Sequence, residues 1–270
     1  MLFLLLILKL AKKLNINNIV LYEQFQTALI PYKKIQIEIA TARTEEYSSD
    51  SRKPEVQSTS IGEDLSRRDF TINSIYADID GNLYDPFNGK RDLELGKVEF
   101  IGDIEKRIKE DYLRIMRYIR FHLKYGKLEH EKKTIIAIKK NINGINNISK
   151  ERIFSELIKI LDIDVIQKLK RDNQVLEIFC ILFPQLKYFD RIEKIKFLIS
   201  KTNLKVDYCL TLAILLSDKQ TNIEYWIYKY KIPNKIKNRL LNISKYIDLV
   251  KEKIFISEQS LKKIIYLHLE

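Results

Sequence analysis

Residues 63–74, Glu63-Asp64-Leu65-Ser66-Arg67-Arg68-Asp69-Phe70-Thr71-Ile72-Asn73-Ser74, decide how the chain is read. The pattern predicts a helix over about 66–76 with both arginines at its start. Guanidinium groups bind phosphate bidentately and stay charged, and a helix N-terminus adds the positive end of its dipole. Asp69 can orient an arginine. Asn73 lies one helical turn further on the same face, within reach of a sugar hydroxyl. A solvated charge cluster would use the same residues, and the segment alone does not choose.

A second stretch, Glu110-Asp111-Tyr112-Leu113-Arg114-Ile115-Met116-Arg117-Tyr118-Ile119-Arg120-Phe121, places Asp111 and Arg114 on one helical face. Arg117 and Arg120 continue the cationic row beside an apolar stripe. A carboxylate offers acceptors and a guanidinium paired donors, the set that reads the edge of a base. A plain surface ion pair has the same spacing. Between the two stretches lies Asp85-Pro86-Phe87-Asn88-Gly89-Lys90-Arg91-Asp92-Leu93. It reads as a turn, with Pro86 fixing the chain and Gly89 permitting a positive φ.

Upstream, MLFLLLILKL opens a helix over 2–15. Its apolar run is too short to span a bilayer and lacks the flanks of a secretory signal, so a buried helical turn is expected. Strands are expected at 18–22, 27–30 and 35–41, the last two joined by a turn containing Pro31. In the third, Ile35, Ile37 and Ile39 alternate with Gln36, Glu38 and Ala40, which sets Glu38 opposite the isoleucine face. Residues 43–66 are polar, contain Pro54 and Gly62, and read as a long functional loop. A hairpin at 75–79 and 82–85 turns at Asp80-Gly81.

Beyond about residue 100 the strand signals stop and helical periodicity runs to the end. Ser149 is an N-cap for a helix at 150–161. Further helices are expected at 164–182, 190–201, 206–217, 221–230, 233–252 and 257–268, and the Asn- and Gly-rich 141–147 as a loop. The fold class is α+β: a small head, then an all-helical remainder.

The 270 residues carry a net charge of +12, with 46% hydrophobic and 31% charged residues. This is globular composition, not disorder. The positive excess favours a polyanionic partner, nucleic acid ahead of an acidic membrane surface. The two cysteines, Cys180 and Cys209, make no C-x-x-C and imply neither zinc nor a disulfide framework. With three histidines, a histidine-based metal site is not expected. A reducing compartment, the cytoplasm, is expected from the cysteine usage.

In this order, EDLSRRDFTINS, DPFNGKRDL and EDYLRIMRYIRF resemble the motif series of the class II CCA-adding enzyme and bacterial poly(A) polymerase family. The similarity extends back through IEIATARTEEYSSDSRKPEV and forward to Ser149-Lys150-Glu151-Arg152-Ile153-Phe154-Ser155-Glu156-Leu157, covering about residues 20–165. It implies an incomplete polymerase-β-like nucleotidyltransferase head with a small mixed sheet (1–98), a helical base-recognition neck (99–165) and a helical RNA-binding body (166–270). It places Arg67, Arg68, Asp69 and Asn73 near the ribose and phosphates of CTP or ATP. It places Asp111 and Arg114 at the base edge, with Arg117 and Arg120 as supports or phosphate contacts. Asp85 and Gly89 resemble the hinge that adapts the head between the two nucleotides, Arg43 and Arg52 the basic residues about the flexible loop, and Glu38 an auxiliary catalytic carboxylate. Residues 149–157 resemble the helix that braces the base-reading one.

One departure bears on catalysis. The family's G-G-x-V-R-D turn and the D-x-D pair that holds two Mg²⁺ ions are not found in the matching place. Asp78/Asp80 and Asp162/Asp164 have the D-x-D spacing but read as turn and cap residues. The metal ligands are therefore expected to lie upstream, in the same gene product or on a separate polypeptide, and the isolated chain is expected not to turn over. Gln26 stands where the family often has glycine, and the carboxyl end is short for the family. Three functions follow: CMP and AMP transfer to RNA 3′ ends, above all tRNA; poly(A) synthesis from the same motifs; or RNA binding without catalysis. An unrelated basic helical module would require the motif order to be coincidence.

Overall fold

The computed structural model describes residues 2–13, 16, 18–23, 26–33, 35–46, 55–192, 206–216 and 220–252. Arg52, most of the helix expected at 190–201 and the helix expected at 257–268 lie outside these residues. The chain divides into two compact units between Asp92 and Leu93.

The first unit opens with α1 (Leu2–Lys13). Only part of its apolar run is core: Ile7 and Ala11 are buried, whereas Leu6, Leu8 and Leu10 are exposed. β1 (Val20–Tyr22), β2 (Thr27–Tyr32) and β3 (Ile35–Ala40) form an antiparallel sheet in that order. The expected Pro31 turn is a strand position, with Pro31 opposite Gln36, and the connection is made instead at Lys33, whose φ is 54°. The sheet's core is Ile7, Ala28 and Ile30, with Ile16, Ile19, Leu21 and Ile39 packed against it. Of the predicted isoleucine face only Ile39 joins this cluster; Ile35 and Ile37 are exposed.

Within the segment 43–66, expected as a loop, the described residues include two strands and a helix. β4 (Arg43–Glu46) pairs with β5 (Glu55–Ser58), and α2 (Ile61–Ser66) follows. A capping box starts α2: the Ser60 hydroxyl accepts from the Glu63 amide, and the Glu63 carboxylate accepts from the Ser60 amide. The predicted helix over 66–76 is thereby displaced about one turn toward the N-terminus. Arg67 and Arg68 stand at the carboxyl end of α2, so the dipole contribution expected at a helix start is absent. Phe70, extended at φ −124° and fully buried, breaks the helix, and Thr71–Asn73 forms a 3₁₀ turn. β6 (Tyr76–Ala77) and β7 (Leu83–Tyr84) make the predicted hairpin. Asp78 organises its turn by accepting from the amides of Asp80 and Asn82.

The second unit is helical among its described residues. α3 (Gly89–Leu95) spans the boundary between the units. α4 (Ile104–Glu110), α5 (Arg114–Tyr125), α6 (Lys132–Asn141) and α7 (Lys150–Ile158) follow. The 141–147 segment, expected as a loop, is a 3₁₀ helix, Ile142–Asn147. The single helix expected over 164–182 is two, α8 (Ile163–Arg171) and α9 (Asn173–Leu182). Asp172 divides them because its backbone is extended (φ −101°, ψ 93°) and its carboxylate caps α9 by accepting from the Val175 amide. Asp162 caps α8 in the same way, through the Asp164 amide. Three more helices, Tyr208–Leu216, Gln220–Tyr230 and Asn234–Glu252, are described. α5 buries Ile115, Met116, Tyr118, Ile119, Phe121 and Leu123, each contributing about 1.5–3 kcal/mol, and so forms the spine of this unit. No helix among the described residues is long and apolar enough to cross a membrane. Cys180 and Cys209 are free thiols.

Candidate nucleotide-binding site

In the first unit the predicted phosphate residues converge on one carboxylate that the sequence did not single out. Asp64 is buried, 2% exposed. Arg67 donates to its Oδ1 from Nε (3.0 Å) and Nη2 (2.6 Å), and Arg68 donates to Oδ2 from Nη2 (3.0 Å). The Tyr76 hydroxyl donates to Oδ2 at 2.5 Å, and the Arg43 amide to Oδ1 at 3.3 Å. Burial pushes the Asp64 carboxyl up, but the bonds from Tyr76, Arg67, Arg68 and Arg43 outweigh it and hold the pKa at about 2. Asp64 is therefore anionic and fixes both guanidiniums, whose side chains remain 31% and 38% exposed. Arg68 also donates to the Tyr76 oxygen at 2.9 Å.

Asp69 is buried and Asn73 donates its amide nitrogen to Asp69 Oδ1 at 3.1 Å, so the expected Asp69–Asn73 neighbourhood exists in a 3₁₀ turn instead of an α-helix. Arg43 donates from Nη1 to the Thr27 hydroxyl at 2.9 Å. Gln26, the position where the family often has glycine, has φ 45°. Its side-chain oxygen accepts from the hydroxyls of Thr41 (3.0 Å) and Ser58 (3.2 Å), which offsets the left-handed backbone.

The Asp85–Gly89 turn differs from expectation. Asn88, not Gly89, has the positive φ (57°). Asp85 caps α3 by accepting from the amides of Gly89 (2.7 Å) and Lys90 (2.8 Å). Glycine is needed at 89 for close approach, since a Cβ there would lie 2.1 Å from the Thr71 carbonyl oxygen. Thr71 in turn donates its hydroxyl to the buried Asp92 at 2.6 Å.

In the second unit, Asp111 is not on a helical face shared with Arg114. Its backbone is extended (φ −153°) between α4 and α5. Its Oδ1 accepts from the Leu113 amide at 3.2 Å, and its main-chain oxygen from the Arg114 amide at 3.0 Å, so it ends α4 and shapes the turn that leads into α5. Its Oδ2 accepts from Arg152 Nη2 on α7 at 2.7 Å. Arg114 pairs instead with Glu110 Oε2 (2.7 Å) and donates to the Arg107 main-chain oxygen (2.8 Å). Burial raises the Glu110 carboxyl, but hydrogen bonds from Arg114 and Arg107 outweigh it and hold the carboxyl below its usual range. Asp111 and Arg114 are thus each held by a different partner at the α4–α5 elbow. Arg120 forms an ion pair with Glu156, which is 2% exposed, and its guanidinium stacks 4.3 Å from the Phe121 ring centroid. Arg117 lies 5.6 Å from the same centroid. The predicted arginine row therefore diverges: Arg120 joins α5 to α7, while Arg114 stays with α4.

Tyr112 completes the elbow by packing against Gly144, where a Cβ would lie 2.0 Å from the ring. Sequence reasoning missed Asp64, Tyr76, Glu110 and Arg152 as positioning residues. Arg152 stands inside the 149–157 stretch of the bracing helix, but its partner is 41 residues away. Glu38 is exposed in the middle of β3, opposite Leu29. Among the described residues, the one group of three or more side chains able to ligate a metal is His122, His130 and Asp172, and Glu38 is not part of it.

The chain thus has a sheet-bearing first unit with arginines gathered on a buried carboxylate, and a helical second unit. Residues 7–99 match the family described as "Poly A polymerase head domain", and residues 127–189 that described as "Probable RNA and SrmB- binding site of polymerase A". The mitochondrial CCA tRNA nucleotidyltransferase 1 of Danio rerio is 36% identical over 221 residues, 79% of this chain and 50% of that protein. The CCA-adding enzyme of Staphylococcus saprophyticus is 30% identical over 254 residues, 88% of this chain and 60% of that protein. A solved CCA-adding enzyme, apo form II, superposes with a TM-score of 0.66 at 25% identity, covering 92% of this chain and 62% of that one. The domains matched are those of the tRNA nucleotidyltransferase and poly(A) polymerase family. It spans about half the length of the curated relatives it matches.

Proposed function

We propose that this chain selects CTP and ATP, without a nucleic-acid template, for transfer of CMP and AMP to the 3′ end of tRNA. The observation that carries this reading is the elbow between α4 and α5. There Asp111 and Arg114, an acceptor and a donor three residues apart, are each fixed by a separate partner, Arg152 and Glu110. A hydrogen-bonding edge that cannot swing away discriminates between bases, because a wrong base leaves its polar groups unpaired. In this reading Arg67, Arg68, Asp69 and Asn73 receive the triphosphate and ribose, with Arg43 beside them. Asp85 and Gly89 form the hinge, Arg117 and Arg120 support the base-reading helix, and Glu38 is an auxiliary carboxylate. Residues 1–98 are the head, 99–165 the neck and 166–270 the RNA-binding body.

The names of the relatives support CCA addition over poly(A) synthesis. In this reading the chain itself binds and selects the nucleotide, and the Mg²⁺ ligands required for transfer come from outside its described residues. The test is incubation of the purified chain with tRNA lacking its 3′-terminal nucleotides, Mg²⁺, and labelled CTP or ATP, with nucleotide binding measured in parallel. Binding of both nucleotides without incorporation is the expected result. Incorporation of AMP alone, in runs, would reassign the chain to poly(A) synthesis. Binding of neither nucleotide would overturn the reading.

A further inference from the structure

Two of the three histidines of the chain face one carboxylate, and none of the three residues involved is assigned to nucleotide selection. His122 is on the last turn of α5, His130 precedes α6, and Asp172 separates α8 from α9. His130 Nε2 lies 2.7 Å and His122 Nε2 3.5 Å from the same oxygen, Asp172 Oδ2. The three candidate donor atoms all lie within 4.8 Å of one another. We infer that His122, His130 and Asp172 form a binding site for a divalent transition-metal ion of the Zn²⁺ type.

The distances fit a small adjustment. Zinc bonds of roughly 2.0–2.2 Å in a tetrahedron place donors roughly 3.3–3.5 Å apart, so the side chains need only sub-ångström to ångström shifts. Asp172 uses Oδ1 to cap α9, which leaves the capping bond intact when Oδ2 ligates. Tyr118 supplies the support that ligating histidines ordinarily have: its oxygen lies 2.9 Å from His130 Nδ1. Ligation through Nε2 places the His130 proton on Nδ1, where the Tyr118 oxygen accepts it. The three residues line a cleft of about 570 Å³, which leaves space for water as a fourth ligand.

The chemistry also chooses the ion. Lys127, Lys132, Lys168 and Arg171 line the same cleft and oppose every divalent cation alike, so the choice rests on the donor set. Two imidazoles and one carboxylate favour zinc and its neighbours over Mg²⁺ and Ca²⁺. The bound ion would tie the end of α5 to the α8–α9 junction.

The full chain, stripped of metal with a chelator, is titrated with Zn²⁺ against a chromophoric competitor, with Mg²⁺ as a control. One equivalent of Zn²⁺ is expected to bind, with affinity falling about tenfold or more in His122→Gln and in Asp172→Asn. The X-ray absorption spectrum of the zinc-loaded wild-type chain is expected to show two imidazole ligands and no sulfur. That measurement needs no variant to fold. Absence of stoichiometric binding, a sulfur ligand from Cys180 or Cys209, or unchanged affinity in both folded variants overturns the site.

Discussion

Asp64→Asn tests whether one buried carboxylate holds the phosphate arginines in place. The substitution keeps the shape and removes the charge that Arg67, Arg68, Tyr76 and the Arg43 amide address. Lowering the carboxyl from 3.8 to about 2 corresponds to about 2 kcal/mol in favour of the native state. Removing one partner of a buried ion pair costs about 3–5 kcal/mol. The arginine side chains are about a third exposed, so water recovers part of that loss. A loss of about 2–3 kcal/mol is expected, measured as the change in urea unfolding free energy at pH 7. The sign with pH is fixed: a depressed carboxyl stabilises fully above 3.8 and loses that contribution as the pH falls through about 2. The gap between wild type and variant therefore closes in that window. Triphosphate affinity is expected to fall as well, since the guanidiniums are no longer held. A loss below about 0.5 kcal/mol, or a gap unchanged down to about pH 2, would refute the role assigned to Asp64.

Three further outcomes are expected. Gly144→Ala drives a methyl into the Tyr112 ring, so about 1–3 kcal/mol of stability is lost and the choice among nucleotides changes more than triphosphate affinity; unfolding curves and competition binding report the two effects. Asp111→Ala and Arg152→Gln each relax base selection by about 1–3 kcal/mol, and the double variant relaxes it no further, as measured by CTP/ATP against UTP/GTP affinity in a double-mutant cycle. At Gln26, replacement by glycine relieves about 1 kcal/mol of backbone strain and roughly offsets the lost hydroxyl bonds, whereas alanine loses those bonds and keeps the strain; thermal unfolding should rank glycine above alanine.

The legible parts of the molecule are those set by neighbours in sequence. The Asp80-Gly81 hairpin and the helical second unit follow from local turn chemistry and periodicity. The order of the three motifs carried the family, because each retains its residue types whatever backbone they adopt. The displaced helix had a readable local signal, the Ser60…Glu63 capping box, which outweighed the apolar pattern around Phe70. Asp64 was not legible: its donors stand at 43, 67, 68 and 76, and only the folded chain brings them to one carboxylate. Asp111 and Arg114 were placed on a shared helix because their spacing allows it. In the structure Arg152 and Glu110 compete for them and pull the pair apart. A count of three histidines says nothing about where the fold places two of them, beside the carboxylate of Asp172.

The most direct measurement is equilibrium binding of the four ribonucleoside triphosphates to the purified wild-type chain and to Asp111→Ala. The account predicts that the wild-type chain binds CTP and ATP about tenfold or more tightly than UTP and GTP, and that Asp111→Ala narrows this gap while keeping triphosphate affinity. Equal binding of all four by the wild-type chain, or an unchanged preference in the variant, would contradict it.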